Sequence, residues 1–185
     1  MAVEVITKEE EEKLLQHTTS NLWRTAYIIM LYAGLRVGEL CQLLISDFFI
    51  DGQPKTRLIV RAEIAKMKQA RTVPIGEALA KQILDLKKEL AEKNASNVTD
   101  YIFRNKKTGK HLTPRQVQKQ LAKHSFAAFG RKIHPHCLRH TFATRLCVVA
   151  NIRVVQELLG HTSLQSTQVY THPNSIDLDN AINKL

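Results

Sequence analysis

Signals that start and stop helices recur along this chain, and they restrict it to a mainly helical fold. Thr7 with Glu10 three residues on forms a capping-box pattern, and the acids Glu9 to Glu12 fall where a helix N-terminus favours negative charge. Between Ser20 and Ala33, Leu22, Trp23, Ala26, Tyr27, Met30 and Leu31 recur at helical spacing, and Gly34 follows as a stop. Thr113 and Pro114 open another helix that Gly130 ends, and Gly160 closes a third. The same pattern predicts helices from near Arg36 through Leu44, over about Glu77–Lys93, and around His136–Val149, Ile152–Leu159, Leu164–Tyr170 and Ser175–Lys184. The acidic first turn is expected to be solvated, and Trp23 to belong to the core.

One stretch breaks the helical pattern. Phe48–Ile50, Arg57–Arg61 and Arg71–Ile75 are short and β-prone, separated by Asp51-Gly52 and by Lys66–Ala70. The expected architecture is therefore α+β: mainly α with a small three-stranded antiparallel sheet. No repeat, low-complexity tract or linker divides the chain, and 185 residues suffice to bury one core, so a single domain over residues 1–185 is expected.

Charge narrows the partner. Lys and Arg number 27 against 17 Asp and Glu, a net charge of +10, which predicts attraction to a polyanion that weakens with salt. The three cysteines, Cys41, Cys137 and Cys147, lack disulfide or metal spacing and read as reduced, buried thiols of a cytosolic protein. The N-terminus is acidic, and no long apolar run or signal peptide is present, so the reading is neither secreted nor membrane-spanning.

Four short motifs carry the chemistry. AGLRVGEL holds Arg36 and Glu39, and AKMKQARTVPI holds Lys66, Lys68 and Arg71. HPHCLRHTFATRL holds His136, Arg139 and His140, and ELLGHTSLQSTQVYTH holds His161 and Tyr170. In their order and spacing these motifs resemble the catalytic domain of the tyrosine recombinases, the phage-type and Xer-type integrases, from Thr7 to the C-terminal tail. A guanidinium suits phosphate because it presents a rigid fork of donors and stays charged.

The resemblance implies site-specific DNA strand cleavage and rejoining through a 3′-phosphotyrosyl intermediate, with a free 5′-hydroxyl released. Under it Tyr170 is the nucleophile, Arg36 and Arg139 clamp the scissile phosphate, and His161 hydrogen-bonds a phosphate oxygen. His136 takes the phenol's proton, and Lys66 protonates the leaving oxygen, with Lys68 as its competitor. Glu39 orients the arginines, and His140 has a packing or supporting role. Arg71, Arg115 and Lys68 are candidate contacts to the DNA backbone, with solvated surface positions as the alternative for the two arginines. No cofactor or metal is expected. The HxxxH spacing would permit His136, His140 and His161 as a zinc set, but no glutamate follows the first histidine as in HExxH, and Arg139 would repel a cation.

Double-stranded DNA is the expected partner, with four protomers acting together on it. The encoding source is expected to be a prokaryotic cell or a phage or other mobile element. Two alternatives are a type IB topoisomerase sharing the chemistry and a DNA-binding module without catalysis. The family's N-terminal DNA-gripping domain does not precede the motifs, so the chain is expected to be an excised piece, with a minimal family member as the alternative. An apolar stripe in the tail (Ile176, Leu178, Ala181, Ile182 and Leu185) is expected to dock within the chain or on a neighbouring protomer.

Overall fold

The computed structural model describes residues 3–92, 100–105, 108–161, 165–168 and 170. Among them the elements run α1 (Lys8–His17), α2 (Asn21–Ala33), α3 (Val37–Cys41), α4 (Ile45–Phe48), β1 (Phe49–Ile50), β2 (Gln53–Pro54), β3 (Arg57–Val60) and β4 (Arg71–Pro74). They continue with α5 (Glu77–Glu92), α6 (Pro114–Phe129), α7 (Pro135–Val149), α8 (Ile152–Leu159) and α9 (Gln165–Gln168). The expected tail helix lies outside the described residues. No helix of the described chain is long and apolar enough to cross a membrane.

The caps act as the sequence predicts. Thr7 Oγ1 accepts from the Glu10 amide at 3.1 Å, and the Glu10 carboxylate accepts from the Thr7 amide at 3.0 Å. Thr113 and Gln116 repeat this reciprocal pair at the start of α6. Gly34, Gly130 and Gly160 follow their helices in the left-handed region. Gly34 has a second duty, because a Cβ there would lie 2.3 Å from Phe142 Cδ1. Its bare backbone is what lets the end of α2 meet α7.

The first turn of α1 is less solvated than expected. Glu11 is buried and accepts from the Tyr32 hydroxyl at 2.5 Å and from Arg145 of α7. Glu10 takes a two-pronged bond from Arg131, at 2.8 and 2.9 Å. These acids fasten the N-terminal segment to the C-terminal half, a long-range pairing that helical spacing does not encode.

The expected helix from Arg36 to Leu44 ends early, at Cys41, and a second short one, α4, follows it. Asp47 accepts from the Leu44 amide at 2.8 Å and so caps a new start at Ile45. Arg61 holds the break, donating to Asp47 Oδ1 at 3.1 Å and to the Gln42 carbonyl at 2.9 Å.

The three-stranded sheet is corrected to two separate two-stranded ones, β1–β2 and β3–β4. Asp51 and Gly52 both have positive φ, 48° and 74°, the geometry of a two-residue hairpin turn. That turn pairs Phe49 with Pro54 and Ile50 with Gln53 at once, so β1 finds its partner next door. Pro54 has no N–H with which to extend the ladder. β3 and β4 then pair alone in register Arg57↔Pro74 to Val60↔Arg71.

Helix α2 is the centre of the core, with Tyr27, Ile29 and Met30 fully buried, and it packs against α5 and α7. α1 packs on α6, and β4 lies against α8. Trp23 is only partly buried but packs on this core. Cys41 and Cys137 are buried free thiols, each pushed up to about 12 by burial, and Cys147 is half-buried. A smaller apolar cluster of Ala143, Val155 and Leu159 joins α7 to α8, and Tyr170 packs on it. Two helix packings and one hairpin thus deliver Arg36, Arg71, Arg139 and His161 to one end of α8.

Candidate active site

Three arginines meet the carbonyl end of α8, where a helix carries partial negative charge. Arg71 Nε donates to Leu158 O at 3.0 Å, and Arg139 donates to Leu159 O at 2.7 Å. Arg36 reaches Gly160 O at 3.5 Å, the outer limit of a hydrogen bond. Arg139 also donates to Gly34 O, so α2 and α8 both hold it. Consecutive carbonyls thus gather guanidinium groups from three distant motifs.

Glu39 supplies the compensating charge and is 1% exposed. Arg71 donates to both its carboxylate oxygens, at 2.9 and 2.6 Å. Arg36 adds its side chain at 3.1 Å and its own amide at 2.8 Å. Arg36 is therefore the N-cap residue of α3 and Glu39 its third position, rather than two residues on one helical face. Burial alone would raise the Glu39 pKa, but Arg71, the Arg36 amide and Arg139 hold it below its ordinary value. The orienting role expected for Glu39 has this geometric basis, with Arg71 as its main partner.

That pairing corrects the expectation for Arg71. Its side chain is 6% exposed and its guanidinium is held by Glu39 and Leu158 O, so it is not a solvated surface group. Gly160 shapes the same spot: at φ +62°, a Cβ there would sit 2.9 Å from Arg71 Cδ. The signal in the sequence was the invitation of a carboxylate near several arginines, but which arginine pairs is decided by the β4–α8 packing.

Arg139 is 4% exposed and pushed down to about 9 by burial and by the charge of Arg36, which leaves it a cation at neutral pH. It donates to His161 Nε2 at 3.1 Å. A guanidinium only donates, so Nε2 accepts and the ring proton sits on Nδ1, facing Thr167 Oγ1 at 3.0 Å. Burial and the charges of Arg139, Arg36 and Arg71 hold His161 down to about 4. In this arrangement His161 is a neutral acceptor at Nε2, and its one N–H, on Nδ1, faces Thr167.

Tyr170 is half-buried, and its phenol oxygen lies 2.7 Å from His140 Nδ1. Burial raises its pKa, while Arg139 and Arg36 oppose the rise. The histidine at the phenol is thus His140, which had been expected to play a packing or supporting part. His136, expected as the proton acceptor, is exposed, with its ring 6.0 Å from that of His140. One turn of α7 separates the two, and the α7–α8 cluster directs the phenol to the inner one.

Lys66 is exposed in the β3–β4 turn, close enough for its charge to depress His136. Lys68 is turned away, with φ 55° and its amine on Glu63 O at 3.3 Å, which leaves Lys66 the better placed of the two. Arg115 is exposed on the first turn of α6. A cleft of about 180 Å³ opens between the β3–β4 turn and the end of α8, lined by Arg36, Ala65, Arg71, Gln156, Gly160 and His161.

These features, a cationic pocket at a helix end with a phenol beside it, coincide with the result of comparison. The phage integrase family model matches residues 4–176, and the chain belongs to that family. It is 34% identical over 182 residues to the tyrosine recombinase XerA of Pyrococcus furiosus, covering 97% of this chain and 60% of that protein. It is 46% identical over 154 residues to the tyrosine recombinase XerC of Anoxybacillus flavithermus, covering 80% of this chain and 49% of the relative. The crystal structure of a XerA recombinase superposes with a TM-score of 0.78 at 27% identity, over 99% of this chain and 63% of the other. A XerH site-specific recombinase bound to its difH substrate gives 0.76 at 27% identity, over 99% of this chain and 55% of that one. The chain spans about half to two-thirds of the length of these relatives.

Proposed function

We propose that this chain is the catalytic domain of a site-specific DNA recombinase that cuts and rejoins strands through a 3′-phosphotyrosyl bond. The observation that carries the reading is the convergence of Arg36, Arg139 and His161 on one helix end with the Tyr170 hydroxyl nearby. Buried donors aimed at one point stabilise the charge that builds on a phosphate in the transition state. In this scheme Tyr170 attacks phosphorus, Arg36 and Arg139 hold the non-bridging oxygens, and His136 and His161 bind the same phosphate. Lys66 gives a proton to the departing 5′ oxygen, and Glu39 keeps the arginines aligned.

Double-stranded DNA is the proposed partner, supported by the net charge of +10 and by the XerH neighbour's complex with its substrate. Arg115 and Lys68 are proposed to contact its backbone, and a tetramer is proposed for the assembly that exchanges strands. The relatives' shared description as tyrosine recombinases favours strand exchange over relaxation of a single duplex.

The test uses a duplex nicked next to the cleavage site, so that the released 5′ fragment escapes. The 185-residue chain, in EDTA, is expected to accumulate a covalent protein–DNA adduct, and Tyr170→Phe to form none. Reversible binding without adduct by the unmutated chain would reduce it to a DNA-binding module.

A further inference from the structure

We propose that Arg61 is a positioning residue for cleavage: with Asp47 it clamps the turn that carries Lys66, so that the Lys66 ammonium stands where the 5′ oxygen departs. The inference rests on the recombinase reading, in which Lys66 supplies that oxygen's proton, and adds the residue that aims it.

Pairing between β3 and β4 ends at Val60↔Arg71, so residues 61–70 have no ladder to hold them. Lys66 lies midway, five residues after Arg61 and five before Arg71. Both arginines grip a buried carboxylate of the segment that runs from Arg36 through α3 and α4. On one side Arg71 donates to Glu39, at 2.9 and 2.6 Å. On the other, Arg61 Nε donates to Asp47 Oδ1 at 3.1 Å and Nη2 donates to Oδ2 at 3.3 Å. A two-pronged guanidinium–carboxylate pair fixes orientation as well as distance. Nη2 also donates to the carbonyl of Gln42, the residue that ends α3, at 2.9 Å. Arg36 is the N-cap of α3, so one five-residue helix joins the phosphate clamp at its start to the Arg61 anchor at its end.

The turn itself is built on Arg61. The Ile64 and Ala65 amides donate to Arg61 O at 3.2 and 3.1 Å, and both side chains are buried in the core. Lys66 comes next, exposed, and so leaves an anchored backbone. Holding a reacting group in place in this way lowers the entropic part of the barrier. In the reaction the Tyr170 oxygen bonds to phosphorus and the bond from phosphorus to the 5′ oxygen breaks. That oxygen takes one proton from the Lys66 ammonium, which becomes a neutral amine, and the phenol's own proton goes to His136. Arg61 exchanges no proton and acts only through the place of Lys66.

The experiment measures single-turnover adduct formation on the nicked duplex, with an ordinary linkage and with a 5′-bridging phosphorothiolate, whose sulfur leaves without a proton. Lys66→Ala is expected to slow the ordinary linkage by about 10²- to 10⁴-fold and to be rescued by the phosphorothiolate. Arg61→Ala is expected to slow the ordinary linkage by up to about 10²-fold, with the phosphorothiolate rate and DNA affinity unchanged. The double variant should be no slower than Lys66→Ala, and Arg61→Lys, which keeps the charge, should recover part of the rate. Arg61→Gln carries the same test if the alanine variant melts below the assay temperature. An Arg61→Ala or Arg61→Gln rate within threefold of the parent on the ordinary linkage overturns the inference. So does equal slowing on both linkages, which a merely structural loss would give, and so does a double variant slower than Lys66→Ala. Failure of the phosphorothiolate to rescue Lys66→Ala sinks the assignment of the leaving-group acid, and the inference with it, while the recombinase reading stands. Absence of adduct from the unmutated chain sinks that reading itself.

Discussion

At the scale of single residues, the site is organised around one buried carboxylate. Glu39 takes four hydrogen bonds, two from Arg71 and two from Arg36, so each arginine's position depends on it. Removing one partner of such a buried pair strands the other charge, which costs about 3–5 kcal/mol. Arg71→Ala is therefore expected to lower the unfolding free energy by up to that amount and to reduce cleavage by loosening Glu39 and Arg36. Chemical denaturation beside adduct yield checks both, and an unchanged midpoint contradicts the ion-pair account. The same residue marks a limit of sequence reading. Arg36, Glu39, Arg139, His161 and Tyr170 were legible because their motifs fix both spacing and chemistry. Arg71 read as a DNA-backbone contact or a surface group, and His140 as a packing or supporting residue. Their partners lie 87 and 30 residues away, set by packing that no local pattern records.

At the scale of elements, α8 does the assembling. Its last carbonyls present a row of acceptors, and the left-handed Gly160 turns the chain so that His161 faces back toward Arg139. Replacing Gly160 by alanine adds the strain of a left-handed L-residue, about 1–2 kcal/mol, and drives a methyl into Arg71. Gly160→Ala is expected to keep the fold by circular dichroism yet lose most of the adduct. Full cleavage by that variant would mean that the α8 end does not position the arginines. Helices were legible where cap and stop residues frame an apolar face, as at Thr7, Gly34, Thr113 and Gly130. The sheet was not, because the Asp51-Gly52 turn pairs β1 with the two residues that follow it, too short a strand to leave a periodic trace.

At the scale of the whole molecule, the partial burial of four histidines, three of them beside the cations of the site, makes stability depend on pH. His124, His136, His140 and His161 all have folded pKa values below the ordinary 6.5, with burial the leading cause in each. Between those values and about 6.5 the unfolded chain binds more protons than the folded one, so this stability is complete above about 6.5 and is lost as pH falls. For His161 the loss extends down to about 4, and the lowered Glu39 and Glu10 add to it below the ordinary carboxylate range. Urea denaturation is expected to show a lower midpoint at pH 5.0 than at pH 7.5 with an unchanged slope, and an equal or higher midpoint at pH 5.0 would contradict this. The central claim, that this cationic pocket exists to drive Tyr170 onto a DNA phosphate, is tested most directly by mapping the covalent bond. Adduct trapped on the nicked duplex is digested, and the DNA-linked peptide is sequenced by mass spectrometry. The account predicts a nucleotide 3′-phosphate on Tyr170, and linkage through Tyr27, Tyr32, Tyr101 or any other side chain would contradict it.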